Sequence, residues 1–220
     1  MSEICELCRK RKAKRFCPAV HGRICSQCCG ESRERTLDCP PSCLYLQQAH
    51  QQDRLRVAGK REVPDPFPQV SVRQQVLDEQ GGLLLGLSFA LAGSARSDQS
   101  IRDSDLIQAL VSVAQSYETL VNSGLYYEAP LSSRVHQGIA GRLESMIGEY
   151  RRRQQEHAGL APPRDSAVLE LLVFLTRMAQ LYSSGRPKAR GFVDFLLDRF
   201  PEQPTAMAPN EAAPGRIVMP

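Results

Sequence analysis

Cys5-Glu-Leu-Cys8-Arg-Lys-Arg-Lys-Ala-Lys-Arg-Phe-Cys17-Pro-Ala-Val-His21-Gly-Arg-Ile-Cys25-Ser-Gln-Cys28-Cys29 opens the chain, and Cys39-Pro-Pro-Ser-Cys43 follows ten residues later. All 8 cysteines of the 220-residue sequence lie in this stretch. Its other apolar residues, chiefly Ile4, Leu7, Phe16, Val20, Ile24 and Leu37, are too few to hold a small fold together without metal or disulfides. Thiols two residues apart, Cys5-x-x-Cys8 and Cys25-x-x-Cys28, can turn both sulfurs toward one ion, and four such ligands satisfy tetrahedral zinc. Counting His21, nine candidates serve eight positions in two sites. One allocation interleaves Cys5, Cys8, Cys25 and either Cys28 or Cys29 with Cys17, His21, Cys39 and Cys43. The other omits His21 and uses every cysteine. In both, two zinc ions stitch a short chain together and their binding energy becomes folding energy.

The competing chemistries fit less well. A disulfide framework needs an oxidising compartment, and the polar, acidic start Met1-Ser-Glu-Ile-Cys5 predicts no export signal and a cytoplasmic location. A thioredoxin-like pair needs an adjoining βαβ pattern, which is missing. A catalytic zinc needs an open coordination position, whereas protein ligands fill both sites here. An iron–sulfur cluster is open to four thiolates as well. His50 stands seven residues beyond Cys43 on an expected helix, roughly 10 Å away, too far to share its ion, and reads as a solvated histidine.

Charge separates the chain into two parts. Residues 1–62 carry 13 Lys+Arg against 7 Asp+Glu, a net of +6, while the remainder is −2. Arg9, Lys10, Arg11, Lys12, Lys14 and Arg15 fall inside the cysteine cluster, where they offset thiolate charge or contact an anion or partner. Phe16 and Tyr45 are the few aromatic residues there that could stack a base.

The run Cys5-x2-Cys8-x8-Cys17-Pro18, then Cys25-Ser26-x2-Cys29 and Cys39, resembles the HIT-type and MYND-type cross-braced zinc fingers. The resemblance covers about forty residues and implies two interleaved zinc ions and protein–protein contact within larger assemblies. Where those fingers carry Cys-Pro-x-Cys, this sequence has Val20 and then His21. The whole arrangement is also similar to a set of uncharacterised bacterial proteins, which implies a cytoplasmic bacterial origin and no particular activity.

Beyond Cys43 the pattern turns helical, from Leu44 to near Gly59, before the proline-rich Val63-Pro-Asp-Pro-Phe-Pro68. Apolar residues then recur at helical spacing: Leu106 to Leu125 with Asp103 or Ser104 as N-cap and Gly124 near the stop, and Val135 to Tyr150. Val168 to Tyr182 is apolar on more than one face, and a last helix follows Pro187. The apolar run after Gly81-Gly82 is ambiguous between helix and strand. The expected fold is mainly α: a zinc-stabilised finger with its following helix (1–58), a linker (59–69), an all-α bundle of about five helices (70–200) and a flexible tail (201–220).

The bundle shows no catalytic signature. Glu-x-x-His, His-Glu-x-x-His, phosphate loops and nucleophile elbows are absent from the sequence. His136 and His157 are isolated, and Glu118, Glu144, Glu149 and Glu170 read as a solvated face. Arg151-Arg152-Arg153 reads as a helix end. Arg186, Lys188 and Arg190 precede the last helix, where cations oppose its dipole; a basic turn in solvent is one reading and contact with a bound anion or acidic partner the other. Tyr126 and Tyr127 offer a second exposed surface. No apolar run reaches the roughly 18–20 residues of a membrane span. The expected function is a non-enzymatic zinc-binding adaptor with a protein partner. A nucleic-acid binder acting through the basic finger and a thiol redox sensor acting through Cys28 or Cys29 are the alternatives.

Overall fold

The computed structural model describes residues 4–60, 64–128, 130–131, 133–157 and 161–201, with backbone alone for 56–60. The expected tail and His157's side chain fall outside the described residues. The chain is mainly helical. A hairpin of β1 (Arg15–Cys17) and β2 (Gly22–Ile24) is followed by α1 (Ser26–Ser32) and α2 (Leu44–Lys60). The bundle comprises α3 (Gln74–Glu79), α4 (Gly81–Ser97), α5 (Asp103–Ser123), α6 (Arg134–His157), α7 (Asp165–Tyr182) and α8 (Gly191–Arg199). That is one helix more than the periodicity suggests, because α3 and α4 meet at Gln80.

The core lies where α5 packs on α7 and on α6, and α4 packs on α6. Leu106, Leu110 and Val113 of α5 and Val168, Leu171 and Leu172 of α7 are buried, which is why α7 is apolar on several faces. The run after Gly81-Gly82 is helix, not strand. Its buried side is Leu83, Leu87 and Leu91, at helical spacing, while Leu85 and Phe89 remain exposed. A Cβ on Gly86 would sit 2.9 Å from the Met146 sulfur, so the glycine lets α6 approach closely.

Several polar residues are placed by tertiary partners. α5 starts one residue earlier than its expected caps, with Arg102 as N-cap, whose N–H donates to Asp105 (2.8 Å). Gly124 ends that helix in the left-handed region (φ 72°), as a C-terminal glycine should. Glu170 is buried, not solvated: its carboxylate accepts the Arg73 backbone N–H (3.0 Å) at the start of α3 and pairs with the Arg73 guanidinium (2.6 Å). Arg151, Arg152 and Arg153 lie within α6 rather than at its end, paired with Asp165, with Glu149 and Glu156, and with Glu149 respectively. His136 is held by Asp105 (3.0 Å). Residues 64–69, the expected end of the linker, lie against α7 together with Val70. Phe67 is buried in the core, and Arg177 binds Asp65 and the carbonyls of Phe67 and Val70.

Asp103, the first residue of α5, caps α8 instead of its own helix. Its Oδ1 accepts the N–H groups of Phe192 and Val193, both at 3.0 Å, while Oδ2 is buried with no hydrogen-bond partner among the described residues. Burial pushes this carboxyl up to about 6 despite the two N–H donors. The native state therefore binds more protons than the unfolded chain between about pH 4 and 6, and stability falls as pH rises through that window. Asp103→Asn keeps an acceptor for α8 and removes the buried charge. It should be more stable than wild type at pH 7.5 by on the order of 3 kcal/mol, a gap that narrows toward pH 5. Urea melts of both zinc-loaded proteins at the two pH values measure it; a pH-independent difference would refute the assignment.

Candidate metal centre

The hairpin and α1 bring two distant cysteine pairs together. Residues 5–9 form a tight turn in which Arg9 N–H donates to the Cys5 carbonyl (2.7 Å) and Arg9 is left-handed (φ 51°). Cys5 N–H bonds the Arg11 carbonyl (2.8 Å), tying this turn to the segment entering β1. β1 and β2 pair in the register Arg15↔Ile24, Phe16↔Arg23 and Cys17↔Gly22, so the chain returns to the first turn at Cys25. Cys25 is the N-cap of α1, with its sulfur 3.4 Å from the Cys28 N–H. The sulfurs of Cys5, Cys8, Cys25 and Cys28 consequently lie within 4.8 Å of one another, and Cys5, Cys25 and Cys28 are buried.

These four thiols are chemically suited to a cation. Backbone N–H groups lower two of them: the Lys10 amide draws Cys8 down to about 6, and the Cys28 amide lowers Cys25. Cys28 is pushed up to about 12, foremost by sharing a hydrogen bond with Cys25. Four sulfurs this close cannot all ionise without positive charge among them, and a divalent ion supplies it. The Arg11 guanidinium, 3.7 Å from the Cys28 sulfur, adds a cation at the rim. Of the two adjacent cysteines on α1, Cys28 joins this group of sulfurs, while Cys29 lies outside it although both are buried in one small cluster with Cys17 and Ile24. Among the described residues this is the one group of three or more potential ligands gathered so closely. No disulfide joins any of the eight cysteines.

The remaining candidates are placed as follows. Cys17 is buried, and Cys39 and Cys43 are half-buried. The Cys39 thiol is raised first by burial and further by nearby Cys43 and Cys17. His21 is exposed and occupies the left-handed position (φ 52°) of the β1–β2 turn, a backbone role that histidine tolerates. Arg15 stacks over Tyr45, its guanidinium 4.4 Å from the ring centroid, whereas Arg9, Lys10, Arg11, Lys12 and Lys14 are exposed.

Arg186, Lys188 and Arg190 are engaged within the chain, which explains cations at a helix start. Arg186 donates to the carbonyls of Gly30 (3.0 Å) and Arg33 (2.6 Å) at the end of α1. Lys188 binds Asp38 (2.7 Å) and the Thr36 carbonyl, and Arg190 binds the carbonyls of Gln99 and Ile101. Between them sits Glu34, 3% exposed, whose carboxylate takes His50 Nε2 (2.9 Å) and the Ser184 hydroxyl (2.9 Å). His50 is thus no solvated histidine: its side chain is 13% exposed, at the junction of finger and bundle. Sequence reasoning missed Glu34, and only its place at the end of the cysteine helix hinted at it.

No family model matches the chain, and no curated protein or solved structure matches it either. Four N-terminal cysteines lie close enough together that they could hold a metal ion, a grouping compatible with a zinc-finger-like motif. Among the described residues, no helix is long and apolar enough to cross a membrane.

Proposed function

We propose that the protein is a zinc-stabilised adaptor, a finger held by two structural zinc ions on a helical bundle, which recognises a protein partner and catalyses no reaction. The convergence of Cys5, Cys8, Cys25 and Cys28 carries this reading. Four thiolates complete a tetrahedral shell and leave no position for a reacting water. For the second ion we favour Cys17, Cys29, Cys39 and Cys43, because Cys43 and Cys17 lie near Cys39 and Cys29 is buried in the same small cluster as Cys17, while His21 is exposed. Zinc thiolates persist in reducing compartments, and on that ground we place the protein in the cytoplasm.

Native mass spectrometry of the full chain tests the metal part. Wild type should carry two zinc ions, Cys28→Ser and Cys29→Ser one each, and His21→Ala two. A single ion in wild type would remove the second site, and a zinc-free chain with disulfides would remove the whole reading. The adaptor part requires a partner whose binding is reconstituted from purified components and abolished by chelation.

A further inference from the structure

The finger presents one face to its ligands and another to solvent. Residues 4–6 join the hairpin through an Ile4↔Lys12 bridge and a bond from Glu6 N–H to the Arg23 carbonyl (3.1 Å). Side chains alternate along these three extended pieces, as on any pleated surface. Cys5, Ala13, Cys17 and Ile24 are buried on the inner face, while Ile4, Lys12, Lys14, Phe16 and its cross-strand partner Arg23 are exposed on the outer one with, among the described residues, a single carboxylate, Glu6, which accepts the Arg23 N–H. Ile4 is 63% and Phe16 57% exposed, and the neighbouring turn adds Leu7, Arg9 and Lys10.

The cations here differ from those at 186–190. Arg186, Lys188 and Arg190 are spent on the chain's own carbonyls and carboxylates, whereas Arg9, Lys10, Lys12 and Lys14 form no ion pair among the described residues. Basic charge interleaved with large exposed apolar side chains complements a segment with the opposite charge and its own apolar side chains. A polynucleotide fits less well. Bases need aromatic platforms, and Phe16 offers an open ring while Tyr45 is covered by Arg15. Ile4 and Leu7 offer nothing to a phosphodiester, but they can bury against aliphatic side chains.

We infer that the outer face of this ribbon docks an acidic, amphipathic segment of a partner protein, its carboxylates meeting Lys12, Lys14 and the 9–10 turn and its apolar residues meeting Ile4 and Phe16. This inference rests on the adaptor reading and names the partner's chemistry.

The test uses zinc-loaded full chain and fluorescence anisotropy with three labelled probes: a peptide alternating Glu with Leu and Phe, its Glu→Gln counterpart, and an oligothymidine. The acidic peptide should bind tightest. The double variant Lys12→Glu, Lys14→Glu should weaken it about tenfold or more, and Phe16→Ser severalfold. Zinc content and melting should be unchanged, since none of the three side chains is buried. Tighter oligothymidine binding that falls steeply with salt would overturn both this inference and the adaptor reading. Failure of the acidic peptide to bind, or binding indifferent to the substitutions, would overturn this face alone and leave the adaptor reading to the exposed edge at Leu125 to Tyr127.

Discussion

Stripping both metal ions should unfold the finger while the bundle keeps its helices. The finger's buried cluster is Cys5, Cys17, Cys25, Cys28 and Cys29, and Ile24 is its one fully buried residue other than cysteine. So little apolar surface cannot offset the conformational entropy of some forty residues, while a structural zinc contributes about 10–16 kcal/mol in small peptides. The bundle has its own core and needs no ion. α1 nevertheless links the two. Its first turn carries Cys28, and its far end supplies the carbonyls that Arg186 binds. Hydrogen exchange after chelation should therefore show full loss of protection over residues 5–43, partial loss over 183–191, and little change in α5 and α7. Retained protection in the finger after metal removal would defeat the structural role given to the ion.

Glu34→Ala should cost on the order of 2–3 kcal/mol, because it removes the buried acceptor of two hydrogen bonds, those from His50 and Ser184. One carboxylate oxygen takes His50 and the other the Ser184 hydroxyl, and the Glu34 carbonyl accepts Lys188 N–H (2.9 Å). Burial alone would raise its pKa, but hydrogen bonds and charge from His50, with help from Ser184, hold it below the usual glutamate value. Its stabilisation is accordingly present at neutral pH and lost as pH falls through the lowered pKa. Glu34 also sits at φ 53°, where a side chain costs roughly 1–2 kcal/mol. Glu34→Gly relieves that strain and should be the milder of the two substitutions. Denaturant melts of the zinc-loaded variants decide this: a loss under 1 kcal/mol for Glu34→Ala would mean that the junction rests on other contacts.

The cysteine spacings and the helical periodicities were readable because both are local. Cys-x-x-Cys brings two sulfurs to one side of a turn whatever surrounds it, and leucines at helical spacing declare a buried face before its partner is known. Thus the finger, the helix after Cys43, and α5, α6, α7 and α8 follow from the residues themselves. What the sequence could not show was pairing across long stretches of chain. The choice of Cys28 over Cys29 depends on the phase of α1 against a turn twenty residues earlier. His50 and Glu170 look like polar residues bound for solvent, and Asp103 like a cap for its own helix, until the helices that bury them are in place. Arg186 to Arg190 look like a site for an external anion until α1 arrives beneath them. In each case a polar group takes whichever partner is brought within about 3 Å, and only the assembled fold decides which one that is.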